Sequence, residues 1–140
     1  MNLYPLTPEH NPRANAFYCA HHSPMRARST MQVWVAEAAE IVAALCLQPV
    51  ENGYWLTSLL VAPTHRHKGL ASQLVAAACT ACQGDVWLFC EPNLVGFYEH
   101  QGFCQTTRLP PALASRLARY QRKKNLVACH RPTPAEATSA

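Results

Sequence analysis

The stretch VAPTHRHKGLASQLV, residues 61–75, constrains this chain more than any other. It reads as the end of a strand, a Pro-containing turn, a basic glycine turn and then a helix. That order builds an anion site. The first turn of a helix carries N–H groups with no acceptor inside the helix, and its dipole favours negative charge. Gly69 has no side chain, so the backbone there approaches a ligand closely. Arg66 and Lys68 add positive charge, and a guanidinium binds phosphate through two parallel hydrogen bonds. A pyrophosphate suits such a turn better than a single phosphate.

Only one glycine lies in the turn, so neither the P-loop pattern GxxxxGK[ST] nor the dinucleotide pattern GxGxxG is present. What is present is V-x-P-x-x-R-x-x-G-x-A, carried by Val61, Pro63, Arg66, Gly69 and Ala71. This resembles the pyrophosphate-binding signature of the GNAT N-acetyltransferase superfamily. A second segment, NLVGFYEHQGF at 93–103, resembles that superfamily's later helix, N-x-x-A-x-x-x-Y-x-x-x-G-F, through Phe97, Tyr98, Gly102 and Phe103. Asn93 departs from the pattern, because it lies five residues before Tyr98 where the commoner spacing is seven.

The resemblance implies acetyl-CoA as co-substrate, with no metal. It implies a pyrophosphate held by Arg66, His67, Lys68, Gly69, Leu70, Ala71 and Ser72, His67 acting through its backbone. Leu59, Leu60 and Val61 would meet the pantetheine arm with their backbone, as an added strand would. Phe97 would line the cofactor, and Tyr98 would be the acid.

A chain of 140 residues is expected to be one domain with a real core. No apolar run of membrane-spanning length occurs, and MNLYPLTPEHNPR lacks the charged and apolar regions of a signal peptide, so a cytoplasmic protein is expected. In that compartment the seven cysteines are expected to be free, most of them small core hydrophobes. Cys79 and Cys82 form a single C-x-x-C, and a structural zinc site needs a second pair. Net charge is +4, which suits an anionic cofactor. The basic cluster Arg116, Arg119, Arg122, Lys123 and Lys124 is the weak footprint of a nucleic-acid binder, but no recognition motif accompanies it. It is read as the solvated face of a helix, and no nucleic-acid or membrane partner is expected.

Periodicity predicts strands at 3–6, 31–37, 41–50, 54–61, 85–91, 103–109 and 125–130. It predicts helices at 11–22 with Asn11 as N-cap, at 69–82 with Leu70, Leu74, Ala77, Ala78 and Ala81 on the buried face, around Tyr98, and at 110–124 with Leu113, Leu117 and Tyr120 inward. Gly84 is expected as a left-handed cap of the second helix. Residues 131–140 read as a disordered polar tail after a domain of residues 1–130. The fold class is α/β with a mixed sheet of six to seven strands, antiparallel in its N-terminal half and flanked by helices. It fits the GNAT fold, in which two neighbouring parallel strands, here 54–61 and 85–91, splay to admit CoA.

Acetyl transfer to an amine requires a neutral amine, a stabilised oxyanion and a departing thiolate. The resemblance places the oxyanion donors at backbone N–H near Leu60 and Val61, at a strand bulge. A phenol near pKa ~10 is a weaker acid than a thiol near ~8.5, so full proton transfer from Tyr98 is uphill by ~2 kcal/mol. A hydrogen bond to the leaving sulfur suffices. Many relatives carry a Glu four residues before the Val of V-x-P; here Thr57 stands there, followed by Ser58. Neutralising a lysine-like amine costs ~4.6 kcal/mol at pH 7, an α-amino group only ~1.4 kcal/mol. Either the acceptor is a low-pKa amine or another residue acts through water. Glu91 is the first alternative, His21 and His22 the second. Trp34 or Tyr18 are candidates to line an acceptor channel.

The expected function is transfer of acetyl from acetyl-CoA to a primary amine of a small molecule or protein, by a monomer or homodimer. The alternative is a non-catalytic acyl-CoA-binding or sensing module.

Overall fold

The computed structural model describes residues 1–133. Seven strands form one sheet in the order β1-β2-β3-β4-β5-β7-β6. They are β1 (Asn2–Leu6), β2 (Gln32–Glu37), β3 (Ile41–Val50), β4 (Gly53–Val61), β5 (Asp85–Cys90), β6 (Cys104–Thr106) and β7 (Val127–Arg131). The helices are α1 (Asn11–Ala20), α2 (Leu70–Ala81), α3 (Val95–Glu99) and α4 (Pro111–Gln121). The chain divides into two compact units, Met1–Pro49 with Leu56–Ala81, and Val50–Trp55 with the described residues from Cys82 onward. The expected disordered tail lies outside the described residues from position 134; Arg131 still belongs to β7.

In the first unit, β1 pairs antiparallel with β2, and β2 with β3. A bulge at Ala36/Glu37 shifts the register, so that Ala36 faces Ala43 but Glu37 faces Ile41. From Val42 to Leu47 every residue of β3 is buried, as a central strand covered on both faces requires. Helix α2 buries Leu70, Leu74, Val75, Ala78 and Cys79. Its inner face is therefore rotated from the expected one: Ala81 is exposed and Val75 is inside. The bulkier β-branched side chain displaces alanine from the core, since burial stabilises roughly in proportion to apolar area.

Asn11 is not the cap of α1. It is the first helical residue, buried, and its amide Nδ2 donates to the Arg28 carbonyl at 3.3 Å. Arg13 on α1 binds Glu37 at 2.7 Å, and Tyr4 donates its hydroxyl to the same carboxylate, tying the helix to the sheet edge.

In the second unit, β4 and β5 run parallel, with Gly53, Tyr54 and Trp55 against Asp85, Val86 and Trp87. β5 pairs antiparallel with β7, and β7 with β6. Trp55, Trp87 and Leu113 form a core, with Val50, Phe89 and Leu109 packed on it. The strands approach so closely that a Cβ on Gly53 would lie 2.0 Å from the Asp85 carbonyl oxygen. Gly53→Ala is therefore expected to destabilise the protein by about 3 kcal/mol, read as a lowered denaturant midpoint with an unchanged m-value.

Gly84 is not a left-handed cap; the glycines with positive φ are Gly69 and Gly102. Gly84 meets a spatial demand instead, because a Cβ there would sit 2.9 Å from the Asn52 carbonyl oxygen. The inward face of α4 carries the expected residues to different depths, with Arg116 added to it. Leu113 is 1% exposed, Leu117 is half-buried, and Tyr120 is 41% exposed. The Tyr120 ring still turns toward the core, 6.5 Å from Trp55 and 6.1 Å edge-on to Phe89, and Arg116 joins it with its guanidinium 4.6 Å from the centre of the Trp55 ring. The rest of the basic cluster, Arg119 to Lys124, is exposed.

Candidate functional site

Two tight turns follow the end of β4. The Ala62 N–H donates to the Val42 carbonyl at 2.8 Å, anchoring the strand end. Pro63–His65 then form one 3-10 turn, closed by His65 N–H on the Ala62 carbonyl at 2.9 Å. The Arg66 Nε–H returns to the Val61 carbonyl at 2.9 Å. One of its donors thus holds the turn in shape, and the rest of the guanidinium, which is exposed, stays available to a ligand.

Beyond Arg66 the backbone turns left-handed twice, at His67 (φ 64) and at Gly69 (φ 77). The Gly69 carbonyl accepts the first helical bond, from Gln73 N–H at 3.1 Å, which makes Gly69 the N-cap of α2. A Cβ built on Gly69 would meet nothing within 4 Å. The glycine is there for its backbone angle and for the open space beside it. Arg66, His67, Lys68 and Gly69, which lead into the first turn of α2, are all exposed. The residues fit a pyrophosphate: helix-start donors, two cations, and room where a side chain would intrude.

On β4, Leu59 and Leu60 are half-buried and Val61 is buried. The strand's irregular residue is Ser58, with φ 61, two positions ahead of Leu60. Tyr18 holds it there. That tyrosine is 0% exposed, and its hydroxyl donates to the Ser58 carbonyl at 2.7 Å. Tyr18 is thus withdrawn from any acceptor channel and supports the strand from beneath. The role is invisible in sequence, because it joins residues 40 positions apart. Burial raises the Tyr18 phenol above its ordinary range, and pushes the adjoining Cys46 thiol up to about 11. Tyr18→Phe should cost ~1–2 kcal/mol in thermal unfolding, the price of leaving a carbonyl without its donor. Trp34 is also buried, with its indole N–H on Gln32 Oε1 at 3.3 Å.

Tyr98 lies on α3 and is 7% exposed. Its ring packs edge-on against Phe97 at 4.9 Å and Phe103 at 5.8 Å. The helix ends in a Schellman motif. Phe103 N–H donates to the Tyr98 carbonyl at 3.1 Å, Gly102 N–H to the Glu99 carbonyl at 3.1 Å, and Gly102 has φ 90. The Tyr98–Phe103 ring contact is the apolar clasp that accompanies this motif. The spacing Y-x-x-x-G-F is therefore the stop signal of a short helix as well as a carrier of Tyr98.

Glu91 follows the end of β5, is exposed, and accepts the Leu94 N–H on its carbonyl at 2.9 Å. His21 and His22 form the turn after α1. Both are exposed, and the His21 ring sits 4.9 Å from Phe17. Thr57 and Ser58 are half-buried. Cys79 and Cys82 are buried, and no group of three or more His, Cys, Asp or Glu side chains is placed to hold a metal ion among the described residues. Likewise, no helix among them is long and apolar enough to cross a membrane.

Residues 29–105 match the family model described as an acetyltransferase (GNAT) domain. Among curated proteins no sequence matches. Solved structures share the fold. Tetrahymena GCN5 superposes with a TM-score of 0.69 at 11% identity, covering 96% of this chain and 97% of that one. A putative N-acetyltransferase from Lactobacillus plantarum gives 0.69 at 15% identity, covering 96% and 100%. The N-acetylglutamate synthase of Neisseria gonorrhoeae, solved with coenzyme A and N-acetyl-glutamate, gives 0.63 at 12% identity, covering 96% of this chain and 36% of that one. With a family match across more than half its length, centred on the strand, turn and helix described above, the chain belongs to the GNAT acetyltransferase family.

Proposed function

We propose that the protein transfers an acetyl group from acetyl-CoA to a primary amine by direct attack in a ternary complex. The observation that carries this reading is the 66–72 turn, where Gly69 caps α2 with φ 77 and open space at its Cβ position, in a segment with two exposed cations, Arg66 and Lys68. A pyrophosphate is the anion that uses all of these at once. The backbone of Leu59, Leu60 and Val61 is assigned to the pantetheine arm, and Phe97 to the cofactor's wall.

In the reaction the amine nitrogen attacks the thioester carbonyl, a C–N bond forms, and the C–S bond breaks. Tyr98 donates its hydroxyl proton, or a strong hydrogen bond, to the departing sulfur. Glu91, exposed at the end of β5, takes the proton lost by the attacking nitrogen through water; His21 and His22 are the second choice for that task. The products are an N-acetyl amine and CoA. The acceptor is an amine of a small molecule or of a protein.

One observation favours a second reading, a non-catalytic acyl-CoA-binding module: Thr57 stands where a strand carboxylate is common in relatives. Titration calorimetry with acetyl-CoA, CoA and dephospho-CoA tests the shared premise, and thiol release across an amine library separates the two readings. Saturable binding with turnover of at least one amine is expected. Binding without turnover of any amine would favour the sensing module, and no binding would remove both.

A further inference from the structure

A cavity of about 540 Å³ lies in the second unit, within the size range of small-molecule sites. None of its lining residues belongs to the acyl-donor or acid–base set. It opens over one face of the sheet. Asp85 and Trp87 share that face by strand alternation, and His130 is the direct antiparallel partner of Trp87. The Trp87 and His130 rings stack at 5.1 Å, 12° from parallel. Leu109 and Pro110 add an apolar wall, and Glu51 and Arg108 stand on the lining with opposite charges.

The charges are the informative part. Neither Glu51 nor Arg108 has an ion-pair partner among the described residues, although both line one cavity. The Arg108 main chain is fixed by its N–H on Thr106 Oγ1 at 3.0 Å. Asp85 receives the Thr133 N–H at 2.8 Å and the Thr133 hydroxyl at 3.2 Å, and faces His130 Nε2 at 3.3 Å. All three contacts fall on Oδ1. The His130 Nε2 is buried without an aligned hydrogen bond.

A simple anion in this cavity would meet Arg108 but also the carboxylates. A simple cation would meet the carboxylates but also Arg108. A zwitterion pairs with both signs, whether His130 is neutral or protonated, because Glu51 and Arg108 remain opposed in either case. We propose that this cavity is a binding site for a small apolar α-amino acid, its carboxylate on Arg108, its ammonium on Glu51 and Asp85, and its side chain against Trp87, Leu109 and Pro110.

The test needs no acyl-CoA, so its result is independent of the reading above. Calorimetry and the tryptophan indole N–H signals in NMR are followed with L-leucine, L-phenylalanine, 2-phenylethylamine and 3-phenylpropanoate. Saturable binding of at least one amino acid is expected, with the amine-only and acid-only analogues at least tenfold weaker than L-phenylalanine or undetectable. Arg108→Gln, at an exposed position, should weaken the amino acid at least tenfold and leave any affinity for 2-phenylethylamine unchanged. Glu51→Gln, also exposed, should do the converse to 3-phenylpropanoate, sparing it while weakening the amino acid. The proposal is overturned if neither amino acid gives a saturable response at millimolar concentration. It is equally overturned if 2-phenylethylamine binds as well as L-phenylalanine and Arg108→Gln changes nothing.

Discussion

Gly69→Glu is expected to weaken CoA and acetyl-CoA at least 100-fold, about 2.7 kcal/mol. Space is not the obstacle, since a Cβ at Gly69 meets nothing within 4 Å of protein. The substitution acts through charge and through the ligand's volume. A unit charge ~5 Å from a dianionic pyrophosphate, at an effective dielectric of ~40, is repelled by ~3 kcal/mol. The positive φ of 77 adds a cost in stability of about 1–2 kcal/mol for a residue with a side chain. Gly69→Asn separates the two effects, because asparagine tolerates left-handed backbone and carries no charge. It should bind CoA better than the glutamate variant at matched stability. Acetyl-pantetheine, which lacks the pyrophosphate, supplies the control, and Gly69→Glu should leave its use as donor unchanged. If CoA binds both variants as tightly as the parent protein, the pyrophosphate does not sit at this turn.

The same turn shows what a sequence discloses and what it withholds. Gly69, Arg66 and the following helix are legible because they act within one short segment, where spacing alone fixes geometry. Strand β3 is legible as central because six consecutive residues, Val42 to Leu47, need cover on both faces. The hydrogen bond from Arg66 to Val61 is not legible, because it turns a presumed ligand group partly inward. Nor is Tyr18 under Ser58, a contact set by tertiary packing across 40 positions. Gly84 misleads in the opposite way. A glycine after a helix usually signals a left-handed cap, but here the neighbouring Asn52 carbonyl demands the missing side chain. Arg116 departs from the expected solvated face for a similar reason: its guanidinium lies on Trp55 beside Tyr120, a placement that polarity alone does not predict.

Tyr98→Phe is expected to lower kcat about 100-fold while leaving the acetyl-CoA affinity within twofold. The phenylalanine ring preserves the edge-on packing against Phe97 and Phe103 and the clasp of the Schellman motif. The stability change should therefore stay near the worth of one hydrogen bond, ~1 kcal/mol, and a folded variant can be assayed. A structural role alone would leave kcat untouched in a folded protein, so the kinetic split decides between the two. The leaving group sharpens the test. If the phenol assists departure of sulfur, a donor whose thiol is much more acidic than that of CoA needs less help, and the deficit of Tyr98→Phe should shrink with it. A deficit that stays constant as the thiol becomes more acidic would point to substrate positioning. Unchanged turnover with acetyl-CoA would remove Tyr98 from the chemistry and leave it as the clasp of α3.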